Sequence, residues 1–276
     1  MSAYLRPALL ITALTACGGG DGMSDDPISG NGLPFASGGR SLADTEGTTM
    51  SLQGARLQQN GDGAIDSGTI RLDAGFFDAD IDAERNAMAT IFGEEIVITN
   101  GVGQVTTGEE VLLIYNFNDS GLYAGAVQFT VSSNNGADGT IDGEVAYVFG
   151  YETNPADLPS GSGTTTYEGG FQAAGYVGET SPDYEGTLSV EVSFANDFAR
   201  VELNGKLDGE DSLNLSGSNL ALSGNGFSGG LNCSAGCLTS SSEIDASFYG
   251  PNAEEVGGVL LIETNRYEGV GSFIID

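Results

Sequence analysis

From about Thr48 onward, apolar runs of strand length alternate with clusters of Gly, Asn and Asp. Short runs rich in Val, Ile, Thr, Tyr and Phe, bounded by turn residues, read as strands. The first half predicts them at Thr69–Leu72, Ile96–Thr99, Glu110–Phe117, Tyr123–Val131 and Glu144–Gly150. Asn118-Asp119-Ser120-Gly121 has the composition of a hairpin turn. Helical periodicity is scarce, and Asp82 to Phe92 is the one stretch that suggests a helical turn. Around Asn154 to Gly163 the composition shifts to Pro, Ser and Gly, which marks a domain boundary. Beyond it a regular meander predicts eight strands: Thr164–Ala173, Tyr184–Phe194, Arg200–Leu207, Ser212–Leu222, Gly226–Asn232, Ser242–Tyr249, Val256–Glu263 and Gly269–Ile275. Antiparallel strands of this spacing suggest a small barrel, which leaves no open edge. The predicted fold class is all-β.

Charge narrows the function classes. The chain has 39 acids against 8 bases, a formal net charge of −31. Such a polyanion repels nucleic acid, whose binding needs Lys and Arg at the phosphates, and does not dock on anionic lipid. The charge favours solubility, or a surface for cations or a basic partner. Histidine is absent. That removes the commonest general base and metal ligand and every Ser-His-Asp arrangement. No catalytic residue is expected, and the chain reads as no enzyme.

The motifs for metals and cofactors fail on their own terms. Asp78-Ala79-Asp80-Ile81-Asp82-Ala83 opens like a calcium loop, yet Ala83 and Ala89 stand where an EF-hand needs Gly and Glu. Asn60-Gly61-Asp62-Gly63 and Asn134-Asn135-Gly136-Ala137-Asp138-Gly139 read better as turns. Gly101-Val102-Gly103 lacks the third glycine of a dinucleotide fingerprint. No metal site and no cofactor are expected from these segments.

The first twenty residues have the three parts of an export signal: Arg6, a short apolar core from Ala8 to Leu14, then small residues. Leu14-Thr15-Ala16-Cys17 resembles the lipobox of bacterial lipoproteins. The resemblance implies a signal peptide at 1–16, lipid on Cys17, and a flexible Gly-rich leash through residue 40. Gly18 after the cysteine resembles lipoproteins sorted outward, to the outer membrane and its exterior face. In an exported chain, Cys233-Ser234-Ala235-Gly236-Cys237 predicts a disulfide: a three-residue loop with Gly in the left-handed region sets Cys233 and Cys237 opposite one another across a hairpin. A short string recurs at Tyr167-Glu168-Gly169, Tyr184-Glu185-Gly186 and Tyr267-Glu268-Gly269, which reads as a reused strand start.

The most specific string is Ser247-Phe248-Tyr249-Gly250-Pro251-Asn252-Ala253-Glu254-Glu255-Val256-Gly257-Gly258. It resembles the hallmark near the end of the β-barrel domain of the transferrin-binding protein B family, and Leu158 to Tyr167 resembles that domain's opening. The resemblance covers residues 145–276. It implies a transferrin-binding-protein-like barrel at 155–276, ending a chain whose residues 41–154 form a β-rich, handle-like region. Phe248, Tyr249, Gly250, Pro251, Asn252, Ala253, Glu254, Gly257 and Gly258 are then a structural barrel corner and no ligand site. Relatives sit on the outer membrane; several capture host iron proteins or haem carriers and pass them to a TonB-dependent transporter. The implied function is a non-catalytic binding module for iron- or haem-carrying protein cargo. Without histidine, a haem iron would fall to a tyrosine. The alternative is a structural or adhesive surface lipoprotein with no small-molecule or iron ligand. Cys17→Ser is expected to abolish palmitate labelling and partitioning into detergent; a variant that still labels contradicts the anchor.

Overall fold

The computed structural model describes residues 49–58, 63–72, 86–91, 94–99, 102–107, 110–115, 123–133, 141–178 and 180–276. The chain is all-β and forms two closed eight-stranded antiparallel barrels. The first holds β1 (Thr49–Gln58), β2 (Gly63–Leu72), β3 (Asn86–Ile91), β4 (Glu94–Thr99), β5 (Val102–Thr107), β6 (Glu110–Tyr115), β7 (Ala124–Ser133) and β8 (Ile141–Gly150). It closes through β1 and β8, from Ser51 opposite Gly150 to Gln58 opposite Gly143. The β-rich region expected before the C-terminal barrel is therefore itself a barrel. The helical turn expected at Asp82 to Phe92 is not formed across Asn86–Ile91. That segment is β3, paired with β2 and β4, because Ala, Met and Ile take whichever structure their neighbours offer. Cys17, the leash, the Asp78–Ala83 and Asn134–Gly139 strings and the Asn118–Gly121 turn lie outside the described residues.

A single 3-10 turn at Pro155–Asp157, capped by the Asn154 side chain, stands in the connection to the second barrel. That barrel holds β9 (Thr165–Tyr176), β10 (Asp183–Ser193), β11 (Phe198–Leu207), β12 (Asp211–Ser223), β13 (Gly226–Ala235), β14 (Ser242–Tyr249), β15 (Glu255–Glu263) and β16 (Glu268–Ile275). β16 closes onto β9, with Phe273 opposite Phe171. The eight strands expected from sequence are present, most of them a few residues longer.

The period-two pattern decides which side of each strand faces inward. In β11, Ala199, Val201, Leu203 and Leu207 are buried while Arg200, Glu202, Asn204 and Lys206 are exposed. The interior is filled by apolar side chains, with Phe171, Tyr184, Phe227 and Phe248 among the largest. Phe248 stands near the centre of this packing, its ring 5.1 Å from Phe194, 6.1 Å from Phe227 and 6.3 Å from Tyr167. Phe248→Ala leaves a void that these rings refill only in part. It is expected to lower unfolding free energy by about 3–5 kcal/mol, measured by denaturant unfolding.

Candidate functional site

The hallmark string lies where the two barrels meet. β15 breaks the period-two rule, with every residue from Glu255 to Ile262 buried. Its inward side chains, Val256, Leu260 and Ile262, join the barrel core. Its outward ones, Val259 and Leu261, join Tyr249 and Val270 against Ala55, Leu57, Ala124, Ala126, Ala146 and Val148 of the first barrel. The string is therefore a corner of one barrel and also the joint between two.

Each residue of the string has a mechanical task. Phe248 points into the core and Tyr249, next along, points into the joint. Gly250 has φ of +80°, and a Cβ there would stand 2.5 Å from the Tyr123 ring, so only glycine fits. Pro251 follows in the turn, partly exposed. Asn252 and Ala253 are both left-handed, at φ of 65° and 58°, a costly conformation for alanine. The Tyr167 hydroxyl holds this turn by donating to the Ala253 carbonyl at 2.7 Å. Gly257 faces the first barrel, where a Cβ would meet Val148 at 2.9 Å, and Gly258 faces the core, where it would meet Phe273 at 2.8 Å.

Hydrogen bonds complete the joint. The buried Glu255 carboxylate accepts from the backbone N–H groups of Tyr123 and Ala124 at 3.0 and 3.1 Å, just where β7 begins. Exposed Glu254 accepts from the Tyr123 hydroxyl. Burial, that hydrogen bond and the charges of Glu254 and Glu255 push this phenol up to about 12. The chain leaving the first barrel runs through the same place. Tyr151 N–H donates to Tyr123 O at 3.1 Å, Thr153 N–H to Phe248 O at 2.8 Å, and Gly250 N–H to Tyr151 O at 3.1 Å. The Glu255 contact was missed from sequence. The unbroken apolar run from Val256 to Ile262 is the signal that would have found it, since a strand covered on both faces loses its alternation.

The opposite end of the second barrel is open. The β9–β10, β11–β12 and β15–β16 connections surround a depression of about 690 Å³, and the β13–β14 connection stands at the same end. Its walls carry Tyr176, Val177, Pro182 and Leu207 beside Asp208, Glu210, Asp211 and Glu268. Cys233 and Cys237 are disulfide-bonded here, with Cα atoms 5.8 Å apart. They are not a cross-strand pair: β13–β14 pairing ends at Leu231 opposite Ser242, and β13 continues along β12 to Ala235. Gly236 does take the left-handed conformation, at φ of +83°. The stapled loop is braced from β15–β16. Asn265 Oδ1 accepts from the N–H groups of Leu238 and Thr239 at 2.8 and 3.3 Å, and Arg266 reaches Gly236 O at 2.8 Å and Asp211 at 2.7 Å. This bracing presents Leu238 at 88% exposure; Val177, at 38%, is the other exposed large apolar side chain among the described residues. Among those residues no three His, Cys, Asp or Glu side chains group as metal ligands.

Residues 158–274 match the family model of the C-lobe and N-lobe β-barrels of Tf-binding protein B. The second barrel is thus similar to the barrels of the transferrin-binding protein B family. Solved structures carry the likeness further along the chain. Transferrin-binding protein B of Haemophilus parasuis Hp5, described as a vaccine antigen, is 16% identical as a double mutant, with 82% of this chain and 44% of that one covered at a TM-score of 0.52. A single mutant of the same protein gives 16%, 82%, 45% and 0.50. The isotype 1 protein from serogroup B Neisseria meningitidis gives 14%, 82%, 42% and 0.46. At such identity the shared property is the fold. The chain spans less than half the length of these proteins. No curated protein matches it. In this barrel the 247–258 string is a joint, and the opposite rim remains exposed. Glu255→Ala leaves two buried N–H groups without their acceptor. It is expected to cost about 1–3 kcal/mol and to speed proteolytic cleavage within residues 154–163; cleavage at the parent rate speaks against the joint.

Proposed function

We propose that this chain is a non-catalytic binding module, lipid-anchored through Cys17 at the outer membrane and facing outward, that engages an iron- or haem-carrying protein through the open rim of its second barrel. The stapled loop bearing Leu238 carries this reading. An exposed leucine held in place by a disulfide and by two hydrogen bonds to Asn265 is ready to be buried by a partner. Rigid strands that hold recognition loops are a common arrangement. The transferrin-binding protein B-like fold, and relatives named for binding transferrin, support a protein cargo. The interior of the second barrel is occupied by its own aromatic side chains, so a cargo docks on the rim and is not swallowed. The acids at the rim favour a basic partner, with association slowing as salt rises. A TonB-dependent transporter is the natural receiver of such cargo.

The test incubates the protein with haem, with haem carriers and with iron carriers, transferrin among them, and reads the Soret band and co-elution. Complex formation with a carrier is expected, and Leu238→Asp is expected to weaken it roughly tenfold. No complex and no Soret shift would remove the iron-cargo reading.

A further inference from the structure

The seam between the barrels is apolar along most of its length, but one end of it holds a polar pocket. Asp245, Ser247 and Tyr249 lie in a row on the outward face of β14. Gln53 of β1 reaches them, its Nε2 donating to Ser247 Oγ at 2.9 Å. Glu152, between the barrels, is bridged to Tyr249 in antiparallel fashion, and its carboxyl lies beside Ser51 and Asn225. The pocket thus draws on both barrels and on the segment that joins them.

Its charges are unbalanced toward oxygen. Burial, and then the charge of Asp245, hold the Glu152 carboxyl above its ordinary range; burial does the same to Asp245. Among the described residues no base influences either group, and Arg200 and Arg266 are engaged by Glu202 and Asp211. Gln53 is 9% exposed, and with its Nε2 spent on Ser247 its Oε1 has no donor among the described residues. Tyr249 is fully buried, and by donor–acceptor geometry its hydroxyl has no partner among the described residues. Buried polar atoms of this kind are rare in native proteins and ask for an occupant.

We propose that this pocket binds a hard divalent cation of the calcium class, held by the Glu152 and Asp245 carboxylates, Gln53 Oε1 and the Tyr249 oxygen, with water completing the shell. The donors are all oxygen, which suits a hard cation and not a soft one. Two carboxylates match a charge of two. A mixed set of carboxylate, amide carbonyl and water suits the flexible shell of calcium better than the strict octahedron of magnesium. The cation fastens the first barrel through Gln53, the joining segment through Glu152 and the second barrel through Asp245 and Tyr249. No sequence motif announces the site, because its ligands come from three separated segments.

The intact chain, melted first in EDTA and then across a calcium titration at constant ionic strength, tests this. A saturable rise in Tm is expected, half-complete at roughly 10⁻⁴–10⁻³ M, the range of extracellular modules. Sodium at matched ionic strength should give none of it. Asp245→Asn and Glu152→Gln should each lose the saturable rise while melting in EDTA no lower than the parent, because each removes an uncompensated charge. That second reading separates a lost site from a damaged fold. No saturable rise in the parent, or a rise kept in full by both variants, overturns the proposal.

Discussion

β15 is buried on both of its faces, and much of the rest of the structure follows from that. A strand in a free-standing barrel faces water on one side and reads as an alternation, as β11 does. β15 cannot, because its outer wall is the floor on which the first barrel sits. Every outward position then carries a packing requirement as strict as an inward one. Gly257 admits no side chain because Val148 stands over it, and Gly250 admits none because of Tyr123. Glu255 has to be an acceptor because two N–H groups of the first barrel end there. A string so constrained has a structural reason for most of its residues before any ligand is invoked.

The joint also sorts the two ends of the second barrel. One end carries the 250–254 turn, the entering segment and the Tyr167 contact, and is spent on holding the barrels together. The other end carries the four connections of the rim. Its order is local: a disulfide, two hydrogen bonds to Asn265, and an Arg266–Asp211 pair that is too exposed to add much. A loop braced from within keeps Leu238 presented at little entropic cost on binding. The variable chemistry of such a protein is best placed there, since a change at the rim leaves the joint intact.

The C-terminal barrel was legible in sequence because alternation, turn residues and strand spacing are local signals, and all eight strands were placed. The disulfide was legible for a similar reason, its two cysteines being four residues apart, although Cys233 and Cys237 are not partners across strands as expected. Asn86–Ile91 was misread because a short apolar stretch has no period of its own, and β2 and β4 decided its form. The joint was not legible, because Glu255 and the backbone of Tyr123 are more than a hundred residues apart and no local pattern links them. The same holds for Gln53, Glu152 and Asp245. The second closed barrel was hidden for a further reason: a strand pattern predicts strands, and closure depends on Ser51 meeting Gly150.

The sidedness of the second barrel bears on how such a chain can be held at a membrane. A barrel that spans a bilayer is apolar outside and polar within. Here Phe171, Leu203 and Phe248 are inside, while Arg200, Glu202, Asn204 and Lys206 are outside. Inserting that wall into hydrocarbon would strand charges at a cost of several kcal/mol each, so this barrel is not the membrane element. Electrostatic docking fails as well, since a net charge of −31 is repelled by anionic lipid. If the chain is held at a membrane as proposed, the second barrel does not do it, and the lipobox-like Leu14 to Cys17 is the segment with the chemistry for it. A single acyl chain gives only marginal, reversible binding, whereas acylation at both the sulfur and the amine of one cysteine supplies the second signal that stable anchoring needs. On the proposed reading, the polar wall of the second barrel and the net charge leave the holding of the chain at a membrane to a lipid on Cys17.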